Sequence, residues 1–195
     1  MDVIVKIYPE PKIDRDAVLK YAGCKEADES ILKLLNECIF EGRLAFNYRV
    51  AYKILPICVL DSEVDFNLFK TTSKSLVKAL DGCENSILFA ASVGFGIDRL
   101  IRKYSLTSPA KALMFQALGT ERVEKLCDIF SKDIAKELSV KTKRRVSPGY
   151  GDIPLKLQEN FVSILDCPRW LSLSLNENML ITPTKSVTAF IGVKK

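Results

Sequence analysis

Histidine is missing from all 195 residues of this chain. With it go the commonest side-chain metal ligand and the usual general base at neutral pH. Ser-His-Asp and Cys-His nucleophilic chemistry are therefore excluded, and the chain cannot itself hand a histidine to a metal centre. The six cysteines, at 24, 38, 58, 83, 127 and 167, are scattered. They form no C-x-x-C pair and none of the clusters that build zinc or iron–sulfur sites, and they read as reduced, mostly buried small hydrophobes. No metal ligand set is expected. No apolar run approaches the roughly eighteen residues of a membrane span. The opening Met1-Asp2-Val3-Ile4-Val5 lacks the basic end and long apolar stretch of a signal peptide. These absences lead us to expect a cytoplasmic protein with no membrane partner.

The net charge of +5 is mild, and the basic residues gather in Lys136, Lys141, Lys143, Arg144 and Arg145 instead of along a stripe. Such a patch suits a solvated surface, an acidic partner or an anionic ligand. It has no interleaved aromatics and fits no nucleic-acid module, so no nucleic-acid partner is expected. A hydrophobic content of 48% over 195 residues suffices for one well-buried core. The expectation is a single domain over residues 1–195, without internal repeats.

Along the chain, alternation predicts a strand over Val3 to Tyr8, stopped by Pro9 and Pro11. Helical spacing predicts helices over Asp14 to Ala22 and Asp28 to Gly42. Asn47 to Leu60 is strand-like until Pro56 breaks it, and Leu68 to Thr71 is a further short strand. Thr72 or Ser73 caps a helix that Asp81-Gly82 closes. The nearly all-apolar run Asn85 to Val93 reads as a central strand and Phe95 to Tyr104 as a helix, with Gly94-Phe95-Gly96 a tight turn between them. Thr107 or Ser108, followed by Pro109, opens a long helical stretch to about Leu138, with an interruption expected near Gly119. Ile153 to Leu165 is predicted helical, with Asp152 as its cap, and Trp170 to Leu175 and Val187 to Val193 as strands. The elements are mixed without regular strand–helix–strand units, so the fold class expected is α+β.

One segment resists explanation as core, surface or linker: Arg145-Val146-Ser147-Pro148-Gly149-Tyr150-Gly151-Asp152. Pro148 fixes one backbone angle, whereas Gly149 and Gly151 permit left-handed angles and let a small molecule approach bare peptide groups. Arg145 adds a planar fork suited to a carboxylate or phosphate, and Tyr150 a ring face and a hydroxyl. The plainer alternative is a helix-to-helix turn following a basic run. On the long helix, Val123, Leu126, Cys127, Phe130 and Ile134 form a buried stripe with Glu124 at its edge. A carboxylate in that position is either paired with a lysine at the rim or pointed into a cleft.

The order Arg-x-x-Pro-Gly-Tyr resembles the signature of the reactivation domain of cobalamin-dependent methionine synthase, which binds S-adenosylmethionine. Further stretches agree in the same order. Ala112 to Glu124 is similar to the helix before that domain's loop, and Leu175-Asn176-Glu177, Pro183 and Lys185-Ser186-Val187 are similar to its later segment. The likeness runs from about Gly96 onward, residues 94–195 carrying the signature and residues 1–93 matching only vaguely. No match is found for the aspartate that the family domain contributes near its start. The resemblance implies a mostly antiparallel, twisted sheet with helices packed about it, and a ligand held along a surface groove. It implies contacts to S-adenosylmethionine from Glu124, Arg145, Val146, Ser147, Gly149 and Tyr150, with no acid–base catalysis by the chain. Arg145 is expected on the methionine carboxylate or adjacent backbone, Glu124 on the ammonium, and Gly149 with Tyr150 on the adenosine side. It further implies a stand-alone module supporting reductive remethylation of cobalamin. The cobalamin would be carried by partner methionine synthase modules, with a flavodoxin-type reductant. Two other readings are open: a binding or regulatory relative that has lost the ligand, and a small enzyme acting on a phosphorylated substrate with Asp152 as base.

Overall fold

The computed structural model describes residues 2–194. Five strands build the main sheet: β1 (Ile4–Ile7), β2 (Arg49–Pro56), β6 (Asn85–Ser92), β7 (Lys141–Thr142) and β10 (Ser186–Lys194). Their order is β1-β2-β6-β10-β7, and every neighbouring pair is antiparallel. Between β2 and β6 lies a three-stranded ribbon of β3 (Cys58–Val59), β4 (Glu63–Asp65) and β5 (Lys70–Thr72), and a small hairpin pairs β8 (Ser174–Leu175) with β9 (Ile181–Thr182). The helices are α1 (Arg15–Tyr21), α2 (Glu29–Gly42), α3 (Lys74–Leu80), α4 (Gly96–Ser105), α5 (Pro109–Glu137), α6 (Gln158–Ile164) and α7 (Cys167–Leu171). The class is α+β, as the mixed sequence pattern implies.

The sheet is buried on both faces, which explains why β6 reads as unbroken apolar sequence. Ile87, Phe89 and Ala91 point to a core shared with α1, α2, α4 and α5, where Phe130 packs against Phe89 with ring centroids 4.8 Å apart. Leu88 and Ala90 point to a second core with α3, α6 and α7. Strand β10 divides in the same way: Ala189, Ile191 and Val193 enter the first core, while Phe190 enters the second and meets Phe161 edge-on at 4.7 Å. The period-two alternation of strand side chains thus distributes one strand's residues between two cores.

Several local expectations are corrected. Helix α5 runs through Gly119 without a break, because this glycine is a packing site. A Cβ there would lie 2.8 Å from Lys185 Cγ and 3.1 Å from Ile97 Cγ1. The helix expected over Ile153–Leu165 shortens to a 3-10 turn, Leu155–Leu157, followed by α6. Trp170 and Leu171 are helical, not extended. Asp166 adopts a left-handed φ of 46° and Pro168 supplies a first turn, and the short α7 buries Cys167 and Leu171 in the second core.

Candidate functional site

Helix α5 and the edge of the sheet meet at a groove of about 1000 Å³, lined by Lys78, Glu124, Asp128, Arg144, Arg145, Val146, Ser147, Tyr150 and Val187. Five of the six residues expected to touch a ligand stand on its wall: Glu124, Arg145, Val146, Ser147 and Tyr150. The sixth, Gly149, lies in the turn behind it. Residues 141–146 run beside β10, the last of them through a bridge in which Val146 N donates to Phe190 O at 3.0 Å and Phe190 N to Val146 O at 2.8 Å. That pairing fixes the position of Arg145 against the sheet, while the loop beyond it turns away.

The turn is held by its own backbone. Tyr150 N donates to Ser147 O, Gly149 N to Ile153 O and Ile153 N to Tyr150 O, at 2.9–3.1 Å. Gly149 and Gly151 take φ values of +86° and +57°, the left-handed region glycine enters freely. A Cβ at Gly151 would also sit 2.5 Å from Ser75 Oγ. The amides of Gly149 and Tyr150 are therefore spent inside the turn, and what this end of the loop offers is the Tyr150 side chain, 70% exposed.

Asp152 does not cap the following helix. Its carboxylate accepts from Ser73 Oγ (2.7 Å), Lys74 N (2.8 Å) and Ser75 N (2.9 Å), closing the N-terminus of α3 from 77–79 residues away. Ser73 Oγ in turn accepts from Leu76 N at 3.1 Å, so one hydroxyl and one carboxylate satisfy the helix's first donors. The Ser73 hydrogen bond first, then those from Ser75 and Lys74, hold the Asp152 carboxyl far below the usual carboxylate range. A group so fully committed as an acceptor is a poor general base, which removes the observation on which a phosphorylated-substrate enzyme rested.

The charged centre of the groove is a three-residue cluster. Glu124 and Asp128 are one helical turn apart on α5 and share a face. Arg145 spans them, with Nη2 2.5 Å from Glu124 Oε2 and Nη1 2.5 Å from Asp128 Oδ1. Burial alone would lower the Arg145 pKa; the Asp128 hydrogen bond and the neighbouring charges reverse this and raise it. The expectation that Glu124 pairs with lysine or faces a cleft resolves into both features at once, with arginine in place of lysine. Tyr21, the last residue of α1, lies beside the cluster, its phenol pKa raised by burial and then by the charges of Glu124 and Asp128. Behind Arg145, burial pushes the Cys127 thiol up to about 12, so this cysteine is a packing residue and not a nucleophile.

Lys78, Asp128, Arg144 and Val187 complete the groove and were not among the residues assigned to it by sequence. Arg144 stood in the basic patch and Val187 in the segment similar to the family's later motif, Asp128 could have been found from its position one turn after Glu124, and Lys78 carried no signal. Every acid on the groove wall comes from α5, none from residues 1–93. Asn176, in the segment resembling the family's later motif, shapes the β8–β9 turn by accepting from Asn178 N and Leu180 N, both at 2.9 Å. A smaller cavity of about 290 Å³ opens at the Gly94-Phe95-Gly96 turn beside Arg49 and Arg99. That turn is a close approach of backbones, as a Cβ at Gly96 would fall 2.2 Å from Ala45 O.

An antiparallel sheet enclosed by helices, with a mixed-charge groove at its edge, places the chain in the α+β class. Among solved structures, the chain has the fold of the MetH reactivation domain bound to AdoHcy. The TM-score is 0.70 at 12% sequence identity, covering 98% of this chain and 78% of that one. No family profile matches the chain, and no curated protein sequence matches it. Among the described residues, no helix is long and apolar enough to cross a membrane.

Proposed function

We propose that this protein is a cytoplasmic reactivation-type module that binds S-adenosylmethionine in the α5–β10 groove and presents its methyl group to a cobalamin carried by a partner protein. One observation carries the reading. Residues singled out from a linear motif, together with Glu124 from 21 positions upstream, converge on one groove, in a fold shared with a domain that has been solved with AdoHcy in place. The groove is large enough for a nucleoside-sized ligand. Its chemistry is suited to placement and not to proton transfer. It has no histidine, Asp152 is committed to α3, and the thiol behind the wall is inert.

Roles follow from what is already paired. Arg145 has both arms on carboxylates and acts by holding Glu124 and Asp128 in place. Lys78 and Arg144 are the cations of the groove without an ion-pair partner among the described residues, and they suit the ligand's carboxylate. Tyr150 offers its exposed ring to the adenosine side, over the turn made by Gly149. A cobalamin carried by the partner would supply the nucleophile, and this chain's residues would fix the sulfonium ligand's orientation in the groove. The reductant in this scheme is a flavodoxin-type protein.

A second reading, a binding or regulatory relative that keeps the fold without the ligand, is favoured by one feature: both arms of the Arg145 fork are already occupied. Calorimetry with S-adenosylmethionine separates the two. The first reading expects saturable one-site heat with the wild type and a loss of about tenfold or more in Arg145→Ala, which frees both acids. A folded wild-type protein that gives no heat and no thermal shift decides for the second.

A further inference from the structure

We propose that Asp128 determines charge specificity in the groove, selecting a sulfonium ligand over its neutral, demethylated product. The inference rests on the groove binding S-adenosylmethionine and adds a residue and a selectivity to that reading. Glu124 and Asp128 face the same guanidinium from adjacent turns of α5, each 2.5 Å from a different arm. Two carboxylates against one arginine give the cluster itself a local negative charge, although Lys78 and Arg144 stand elsewhere on the same wall. Arg145 would be held by either acid alone, so the second is surplus to a simple ion pair.

Both acids keep open faces toward the groove, with side-chain exposures of 41% for Glu124 and 55% for Asp128. They are close enough to solvent to be screened by salt, yet near enough to the wall formed by Val146 and Val187 for a bound ligand to displace water and strengthen the field. S-adenosylmethionine carries a sulfonium and an ammonium against one carboxylate, a net charge of +1, whereas S-adenosylhomocysteine is neutral overall. Most neutral contacts with the nucleoside are common to the two. Lys78 and Arg144 meet a carboxylate that both compounds carry, so the local negative charge of the Glu124–Asp128 cluster is the feature that tells them apart, favouring the methyl-loaded form.

The test compares wild type and Asp128→Asn by calorimetry against each compound. Asparagine keeps an oxygen that accepts from Arg145 Nη1 and removes only the charge. Asp128→Asn is expected to weaken S-adenosylmethionine about fivefold and to leave S-adenosylhomocysteine within about twofold, roughly what loss of one partly screened charge produces. On the wild type alone, the affinity ratio of the two compounds should fall toward one as salt rises from about 20 to about 500 mM, because the Debye length shrinks several-fold. Equal weakening of both compounds, no weakening of either, or a salt-independent ratio overturns the assignment of Asp128 and leaves ligand binding standing. A wild type that binds neither compound overturns both.

Discussion

Arg122 has no exposed surface, yet each nitrogen of its guanidinium has an acceptor. It bonds Glu121, and Nη1 and Nη2 donate to the carbonyls of Pro11 and Lys12 at 2.6 and 3.1 Å. Glu121, 3% exposed, also accepts from Asp14 N at 3.1 Å. This pair ties the segment before α1 to the middle of α5. Removing one member strands the other charge out of water, so Arg122→Met is expected to cost about 3–5 kcal/mol in urea unfolding. The double change Glu121→Gln with Arg122→Met should recover part of that, since the isolated charge is gone; a double variant as unstable as the single would refute the account.

Asp152 gives a prediction in pH. Its folded pKa is depressed, first by the Ser73 hydroxyl, so its contribution to stability is present above the unfolded carboxylate pKa of about 3.9 and is lost as pH falls through the lower folded value. The difference in urea midpoint between wild type and Asp152→Asn should hold steady from pH 7 to about pH 5 and shrink below about pH 4. A gap that grows on acidification contradicts the capping role. Neither Arg122 nor Asp152 disclosed its function in the linear sequence. The one reaches carbonyls 110–111 residues away and the other a helix start 77–79 residues away, whereas the shared place of Arg145, Ser147 and Tyr150 on one groove wall was legible because their motif is contiguous.

Among the elements, α5 organises the molecule. Its 29 residues supply a wall of the first core and both acids of the groove. Pro109 at its start and the stripe Val123, Leu126, Cys127, Phe130 and Ile134 made it readable from spacing, and β6 was readable from its apolar run. What spacing misjudged were the short pieces. Five-residue α7 and the two-residue strands β3, β7, β8 and β9 have too few residues for a period to show, and they take shape from the sheet they pack on. Phe130 tests the dominance of α5. It is fully buried, with ring centroids 5.3 Å from Tyr52 and 4.8 Å from Phe89. Phe130→Ala should cost about 3–5 kcal/mol by urea unfolding, a cavity and lost transfer combined. A cost under about 1 kcal/mol would mean that the α5–sheet contact is not what holds the first core.

At the scale of the whole molecule, the groove draws its wall from elements packed on both cores. Glu124 and Asp128 come from the helix over the first core, Lys78 from α3 over the second, Val187 from β10 and Arg145 from the segment that follows β7. A ligand bridging these walls binds the folded chain and not the unfolded one, so it adds stability by mass action: about 2.7 kcal/mol at a concentration one hundred times its dissociation constant. Because its contacts reach both layers, the gain should appear on both sides of the sheet. Hydrogen exchange with and without S-adenosylmethionine should slow amides in α3, in the second half of α5 and in residues 143–154 together, while α2 and the β3-β4-β5 ribbon, which contribute nothing to the groove wall, change only as far as global opening governs them. Protection confined to residues 143–154 would describe a loop closing on a ligand at the surface, and the groove joining helix, sheet edge and loop would then not be the binding site.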